Sequence, residues 1–181
     1  HRLAMHLGDL ESQLEQLIGL FESGKLELRT LRTRVATLEA ENHRLAGKLD
    51  LAMDRANRAL RHDPDSADVQ IVLGMIRQAL EDEARAGEHF ERAVKLAPDA
   101  GHVLNVYAIW LCQQEKAGEA DVLFASAVKD PFFKAKETAF FNAGTCALTV
   151  GQADKAAQYF RQGLQLAPEN KLLLAKMAEV Q

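Results

Sequence analysis

Four alanines keep a fixed interval along this chain: Ala52, Ala86, Ala120 and Ala156 lie 34, 34 and 36 residues apart. Phe90, Phe124 and Phe160 repeat the last two intervals, and Ala59, Ala93, Ala127 and Gly163 repeat all three. Pro64, Pro98 and Pro168 close repeats on the same grid. A unit of this size cannot bury its own apolar face. It becomes stable only by stacking on copies of itself, so the period demands a one-dimensional array.

A period of 34 residues with small, aromatic, small and proline residues in that order is the signature of the tetratricopeptide repeat (TPR), a helix A, a turn and a helix B. The expected fold is all-α: a TPR solenoid over residues 47–181, preceded by a long N-terminal coiled-coil helix over residues 1–46. The array divides into a partial repeat, 47–66, then 67–100, 101–136 and 137–170, with 171–181 a capping or truncated helix. In the repeat 67–100, Leu73 and Gly74 fall where helices A and B approach closely, Ala86 takes the small position on helix B, and Phe90 fills the core between helices. Pro98 stops helix B. The repeat 137–170 matches most fully, and Gly151 supplies a left-handed turn residue. The middle repeat runs two residues long and ends in Asp130-Pro131-Phe132-Phe133, whose phenylalanines are expected to plug the space under their loop, the alternative being part of a contact surface.

Residues 1–60 lack proline and keep another rhythm. From Leu3 through Leu7, Leu10, Leu14, Leu17, Phe21, Gly24, Leu28, Leu31, Val35, Leu38, Asn42 and Leu45 to Leu49, steps of four and three alternate without a slip. That is a heptad stripe, and it calls for a partner helix, expected to be a second copy of the chain joined through residues 3–49. Asn42 at an a position would satisfy its amide against its counterpart and fix a parallel register. Glu27 with Arg32, and Arg34 with Glu39, pair opposite charges across the dimer, each worth only about 0.2–1 kcal/mol. An antiparallel pair, or a helix folded back along the solenoid, are the other arrangements. Near Gly47 the rhythms collide: the repeat grid places a turn or kink there, five residues before Ala52, as Gly151 stands before Ala156.

No catalytic constellation is evident, and no cofactor or small-molecule substrate is expected. His1, His6, His43, His62, His89 and His102 show no metal-ligand spacing, and there is no phosphate-binding glycine loop or nucleophile elbow. The net charge is -4, with the acidic excess beyond residue 60, so a nucleic-acid partner is not expected. No apolar run is long enough to span a membrane. The chain starts at His1 with neither a signal sequence nor a cysteine for lipid attachment, and reads as a processed or cut fragment. Cys112 and Cys146 occupy neighbouring positions on helix A of successive repeats. They could bridge if their Cα atoms lie about 4.4–6.8 Å apart, or remain two buried thiols.

Binding is therefore the expected function. Helix A faces line the concave side of a TPR stack, and the grid assigns to it Ile71, Met75 and Gln78, then Asn105, Ile109 and Gln113, then Phe141, Thr145 and Leu148. Ile71 and Met75 replace two residues of the clamp by which some TPRs grip acidic chain ends. An apolar groove edged by amides suits an amphipathic protein segment instead.

Residues 47–67, from Gly47-Lys48-Leu49 to Asp63-Pro64-Asp65-Ser66-Ala67, together with Leu111-Cys112-Gln113-Gln114, Asp130-Pro131-Phe132-Phe133 and Asn142-Ala143-Gly144-Thr145-Cys146, resemble the PilF/PilW family of type IV pilus biogenesis lipoproteins, often called pilotins. The resemblance implies a periplasmic, outer-membrane-associated scaffold that supports secretin assembly, held to the membrane only through a lipid anchor not present in this chain. It also favours a Cys112–Cys146 bridge. The coil, with Leu38-Glu39-Ala40-Glu41-Asn42, resembles ZapB-like cell-division proteins, so the alternative is a cytoplasmic coiled-coil dimer displaying TPR arms, including as an engineered fusion. Light scattering on the full chain should return about twice the chain mass of 20.0 kDa, and a monomeric mass would contradict the heptad.

Overall fold

The turns of this protein repeat as faithfully as its helices. The computed structural model describes residues 47–180, together with Ser12, Gln13 and Gln16. The coiled coil expected over residues 1–46, with its register residue Asn42, lies outside the described residues apart from those three positions. Residues 47–62 are helical (α1). They are followed by α2 (Ala67–Ala79), α3 (Glu83–Leu96), α4 (Gly101–Gln113), α5 (Ala117–Ala127), α6 (Lys136–Thr149), α7 (Ala153–Leu166) and α8 (Lys171–Glu179). No strand occurs among the described residues.

Each A-to-B turn is closed by the same pair of backbone hydrogen bonds. The amides of Asp82, Lys116 and Gln152 donate to the carbonyls of Arg77, Leu111 and Ala147, each at 2.9 Å. Those of Glu81, Glu115 and Gly151 donate to Gln78, Cys112 and Leu148 at 3.0–3.1 Å. This is the Schellman arrangement, and it needs a left-handed residue at its centre. Gly151 takes that conformation at φ 73°, but Glu81 (58°) and Glu115 (61°) take it as well, at the strain a side chain incurs there. Gly47 does not form such a turn. It is helical and continuous with residues 48–62, its φ is not left-handed, and nothing crowds the position of its absent Cβ. Three helix N-termini, those of α2, α3 and α8, are capped by the preceding side chain: Ser66 Oγ accepts from the Val69 amide, Asp82 Oδ1 from Arg85, and Asn170 Oδ1 from Leu172 and Leu173.

Two compact units are present. Among described residues one comprises residues 47–64 and Val72–Ala86, the other Asp65–Ile71 and residues 87–180. In the first, Leu49, Ala56, Leu73, Ile76, Ala79 and Ala86 are buried. Ala52 is only half-buried and Ala59 is exposed, so the partial repeat lacks the burial of the later ones.

In the second unit α4 packs on α5, α6 on α7, α5 on α6, α7 on α8, and α4 lies beside α6. Phe90, Phe124 and Phe160 are fully or almost fully buried, as are Ala93, Ala120, Ala127 and Ala156. A Cβ on Gly144 would stand 2.4 Å from the Phe160 ring, which explains a glycine at the helix A–helix B contact. Phe90 also meets Tyr107 and Trp110, with ring centroids 6.3 and 5.7 Å away. Asp121 on α5 accepts from the Tyr159 hydroxyl of α7 at 2.6 Å and pairs with Lys155 at 2.7 Å. Burial and that bond hold the Tyr159 phenol above the ordinary tyrosine range.

Replacing Glu115 with glycine should remove backbone strain without disturbing a packed side chain. Urea unfolding should show the Glu115→Gly variant more stable by about 0.5–1 kcal/mol, with an unchanged denaturant slope.

Candidate protein-binding site

The positions assigned to the groove have divided roles. Ile71 and Asn105 are buried, at 7% and 8% exposure. Asn105 Oδ1 accepts from Asn142 Nδ2 at 3.2 Å, so this amide pair joins α4 to α6. Phe141 lies against Phe160 with ring centroids 6.3 Å apart, and Phe141 and Leu148 pack on the core formed by Ala147, Ala156, Phe160 and Leu173. Thr145 donates its hydroxyl to the Phe141 carbonyl at 2.8 Å and is half-buried. Ile109 is half-buried and Gln113 exposed on α4. In the other unit Met75 is exposed and Gln78 half-buried.

The structure therefore brings together Asn105, Ile109, Gln113, Phe141, Thr145 and Leu148 on two adjacent helices. Their four-residue and three-residue steps set them on one side of α4 and α6. Ile71 and Asn105 serve the interior, and Phe141 and Leu148 present only their outer edges.

Beside this face, Cys112 of α4 and Cys146 of α6 are joined, with an S–S distance of 2.07 Å and a Cα–Cα distance of 5.9 Å. Each half-cystine adjoins a groove residue, Gln113 or Thr145, so the bridge fixes the spacing of the two walls. Thr149 stands over it: its hydroxyl donates to the Cys146 carbonyl at 2.7 Å and lies 3.9 Å from Cys112 Sγ. A further link spans successive A helices, His102 Nε2 of α4 to Asp68 Oδ1 of α2 at 2.7 Å. Within the same unit His89 Nδ1 and the buried Gln70 Oε1 are 2.8 Å apart.

The lengthened loop has a defined structure. Asp130 Oδ2 accepts from the Gly101 amide and Oδ1 from the Phe132 amide, both at 2.8 Å. The carboxylate thus caps α4 from the far end of the same repeat, a role its own N-cap residue Ala100 cannot fill. The bond from Gly101, then that from Phe132, holds the Asp130 carboxyl below the usual carboxylate range. Phe133 is the expected plug: its Cβ stands 2.6 Å from where a Gly101 Cβ would be. Phe132 is not, being 88% exposed. Sequence reasoning missed this split, because adjacent phenylalanines carry no mark of which one a loop turns inward. Among the described residues no cluster of histidine, cysteine, aspartate or glutamate is placed to hold a metal, and no helix is long and apolar enough to cross a membrane.

Residues 67–100 and 137–170 match the tetratricopeptide repeat model. The type IV pilus assembly protein PilF of Pseudomonas aeruginosa is 26% identical over 134 residues, 74% of this chain and 53% of PilF. The crystal structure of PilW, a type IV pilus biogenesis factor, superposes with a TM-score of 0.69 at 25% identity, covering 78% of this chain and 64% of PilW. This chain is similar to PilF/PilW-type TPR proteins. A Pseudomonas aeruginosa PilF structure shares the fold, with a TM-score of 0.69 at 21% identity over 94% of this chain and 67% of PilF. The chain spans about half the length of the curated relative, 53% of it. It is related by sequence and fold to the type IV pilus biogenesis factors PilF and PilW, and TPR domains bind protein or peptide partners.

The bridge closes a sequence separation of 34 residues, for which chain-entropy arguments give about 3–4 kcal/mol. Thermal melts should place the oxidised protein about 10 °C above the reduced one, and Cys112→Ala/Cys146→Ala should abolish that difference. Two free thiols in unreduced protein would contradict the bridge.

Proposed function

We propose that this chain is a non-enzymatic interaction scaffold of the pilotin type, which supports secretin assembly by receiving an amphipathic segment of the secretin on the α4–α6 face. The observation that carries this reading is the likeness to PilW and PilF, proteins named for type IV pilus biogenesis and assembly. The face itself supports it. Ile109 and the edges of Phe141 and Leu148 offer apolar contact, while Gln113 and Thr145 offer polar contact at the rim, the combination an amphipathic helix or extended apolar segment matches.

On this reading the chain sits on the periplasmic side of the outer membrane, which the same likeness supports. The Cys112–Cys146 bridge supports it, because disulfides persist in oxidising compartments and are rare in a reducing cytosol. Membrane attachment on this reading runs through a lipid anchor rather than a spanning helix. Homodimerisation through residues 3–49 would present two such faces together, and pairing two weak sites raises the effective affinity for an oligomeric ring.

Charged substitutions at Ile71 or Phe141 would unfold the repeat rather than test the face, since both are committed to packing. Ile109→Lys with Thr145→Lys is the informative variant. Calorimetry against a peptide from the secretin's terminal segment should show affinity falling at least tenfold, with far-UV circular dichroism unchanged. Undiminished binding by this variant would remove the α4–α6 face from the mechanism.

A further inference from the structure

The α4–α6 face carries a pair of side-chain amides whose hydrogen-bonding capacity is only partly used. Asn142 Nδ2 donates to Asn105 Oδ1 at 3.2 Å. A single bond between two amides always leaves one oxygen and one amino group over, whichever way each amide is turned. The leftover atoms, Asn142 Oδ1 and Asn105 Nδ2, have no partner among the described residues, and neither is sealed from solvent. Thr145 and Thr149 follow Asn142 along the same side of α6, but their hydroxyls donate to the carbonyls of Phe141 and Cys146. The amide pair therefore keeps a free donor and a free acceptor together, one turn along the two helices from Ile109 and Thr145. Linking α4 to α6 uses the other oxygen and amino group, and gives these two atoms no structural role.

Covering them decides what the face can receive. A partner segment seated against Ile109 and the edges of Phe141 and Leu148 takes water away from both amides. A polar group that loses water without gaining a partner weakens binding. A helical segment cannot meet the amides with its main chain, because all but its terminal peptide groups are bonded within the helix. An extended segment can. Every second residue of an extended chain turns its N–H and C=O to the same edge, a donor beside an acceptor, which complements Asn142 Oδ1 and Asn105 Nδ2. Main-chain bonds then supply affinity, while alternate side chains remain to contact the apolar part of the face.

We infer that the α4–α6 face takes its partner as an extended segment, whose main-chain N–H donates to Asn142 Oδ1 and whose C=O accepts from Asn105 Nδ2. This rests on the proposed use of that face and specifies the conformation of what it receives.

The test uses the full oxidised chain and the peptide from the secretin's terminal segment, with three derivatives of that peptide. Two carry main-chain N-methyl groups, one at odd and one at even residues, and the third is stapled into a helix. Calorimetry should show one methylated set weakened at least tenfold and the other within about twofold of the parent, because only one edge of an extended segment faces the amides. The stapled peptide should bind at least tenfold more weakly than the parent. Asn105→Ala/Asn142→Ala removes both amides together, so neither is left orphaned, and the difference between the methylated sets should vanish. Far-UV circular dichroism checks the fold of this variant, and the comparison of sets on the unmutated chain decides the conformation without it. Equal loss in both sets with tight binding of the stapled peptide overturns the inference, since methylation breaks a helix wherever it falls. Two sets that bind like the parent overturn it too, and so does a difference that survives in the double variant; each leaves the face as a binding site. Absence of binding by the unmethylated parent removes the face itself, and the inference with it.

Discussion

The later repeats depend on the closure of helix A over an aromatic ring of helix B. A pair of helices this short has too little apolar surface to stay folded alone, so the ring must be removed from water completely. Phe160 meets that requirement because Gly144 lets the facing backbone come to the distance of ring contact. Phe90 meets it differently, roofed by Tyr107 and Trp110 of the next helix A. The first arrangement seals one repeat and the second joins two, so burial of one ring type accounts for both the unit and its propagation.

The turns convert that local closure into a regular array. Once the ring position fixes how two helices face each other, the chain must reverse within a few residues, and the paired backbone bonds at Asp82, Lys116 and Gln152 do so identically. Glutamate at φ 58° and 61° shows that packing dictates the conformation and the residue complies. The same logic explains Asp130. Ala100 offers the start of α4 no side-chain acceptor, and a carboxylate from the lengthened loop supplies the missing one.

Much of this was legible in the sequence because repeat positions are constrained by sterics that act on single residues. Phe90, Phe124, Phe160 and their alanine partners announce themselves by size and spacing, and their burial follows. Gly151 was readable as a left-handed turn residue, whereas Glu81 and Glu115 were not, because glutamate carries no conformational signature. The left-handed turn expected at Gly47 is not formed, for the converse reason, and the kink that was its alternative involves residues outside the described ones. Glycine permits a turn without requiring one, and a run of helix-compatible residues from Lys48 onward keeps it helical. The candidate face was legible only in outline. Spacing placed Ile71, Asn105 and Phe141 on helix A, but not how far each would be drawn into the core, which depends on neighbours more than 17 residues away in the chain, such as Asn142 for Asn105 and Phe160 for Phe141.

On the proposed function, the bridge between Cys112 and Cys146 bears on recognition as well as stability. A face built from two helices can bind tightly only if their spacing survives thermal motion, since a partner must otherwise supply the ordering free energy itself. Packing alone restrains α4 against α6 through the Asn105–Asn142 pair, at a point seven residues from the cystine on α4. The disulfide adds a second fixed point on the same pair of helices. Two restraints separated along an axis suppress sliding and splaying together, where either alone would leave one motion free. The cross-link therefore sits where rigidity would serve the proposed binding surface, beside Gln113 and Thr145, rather than in the aromatic core, which close packing already holds.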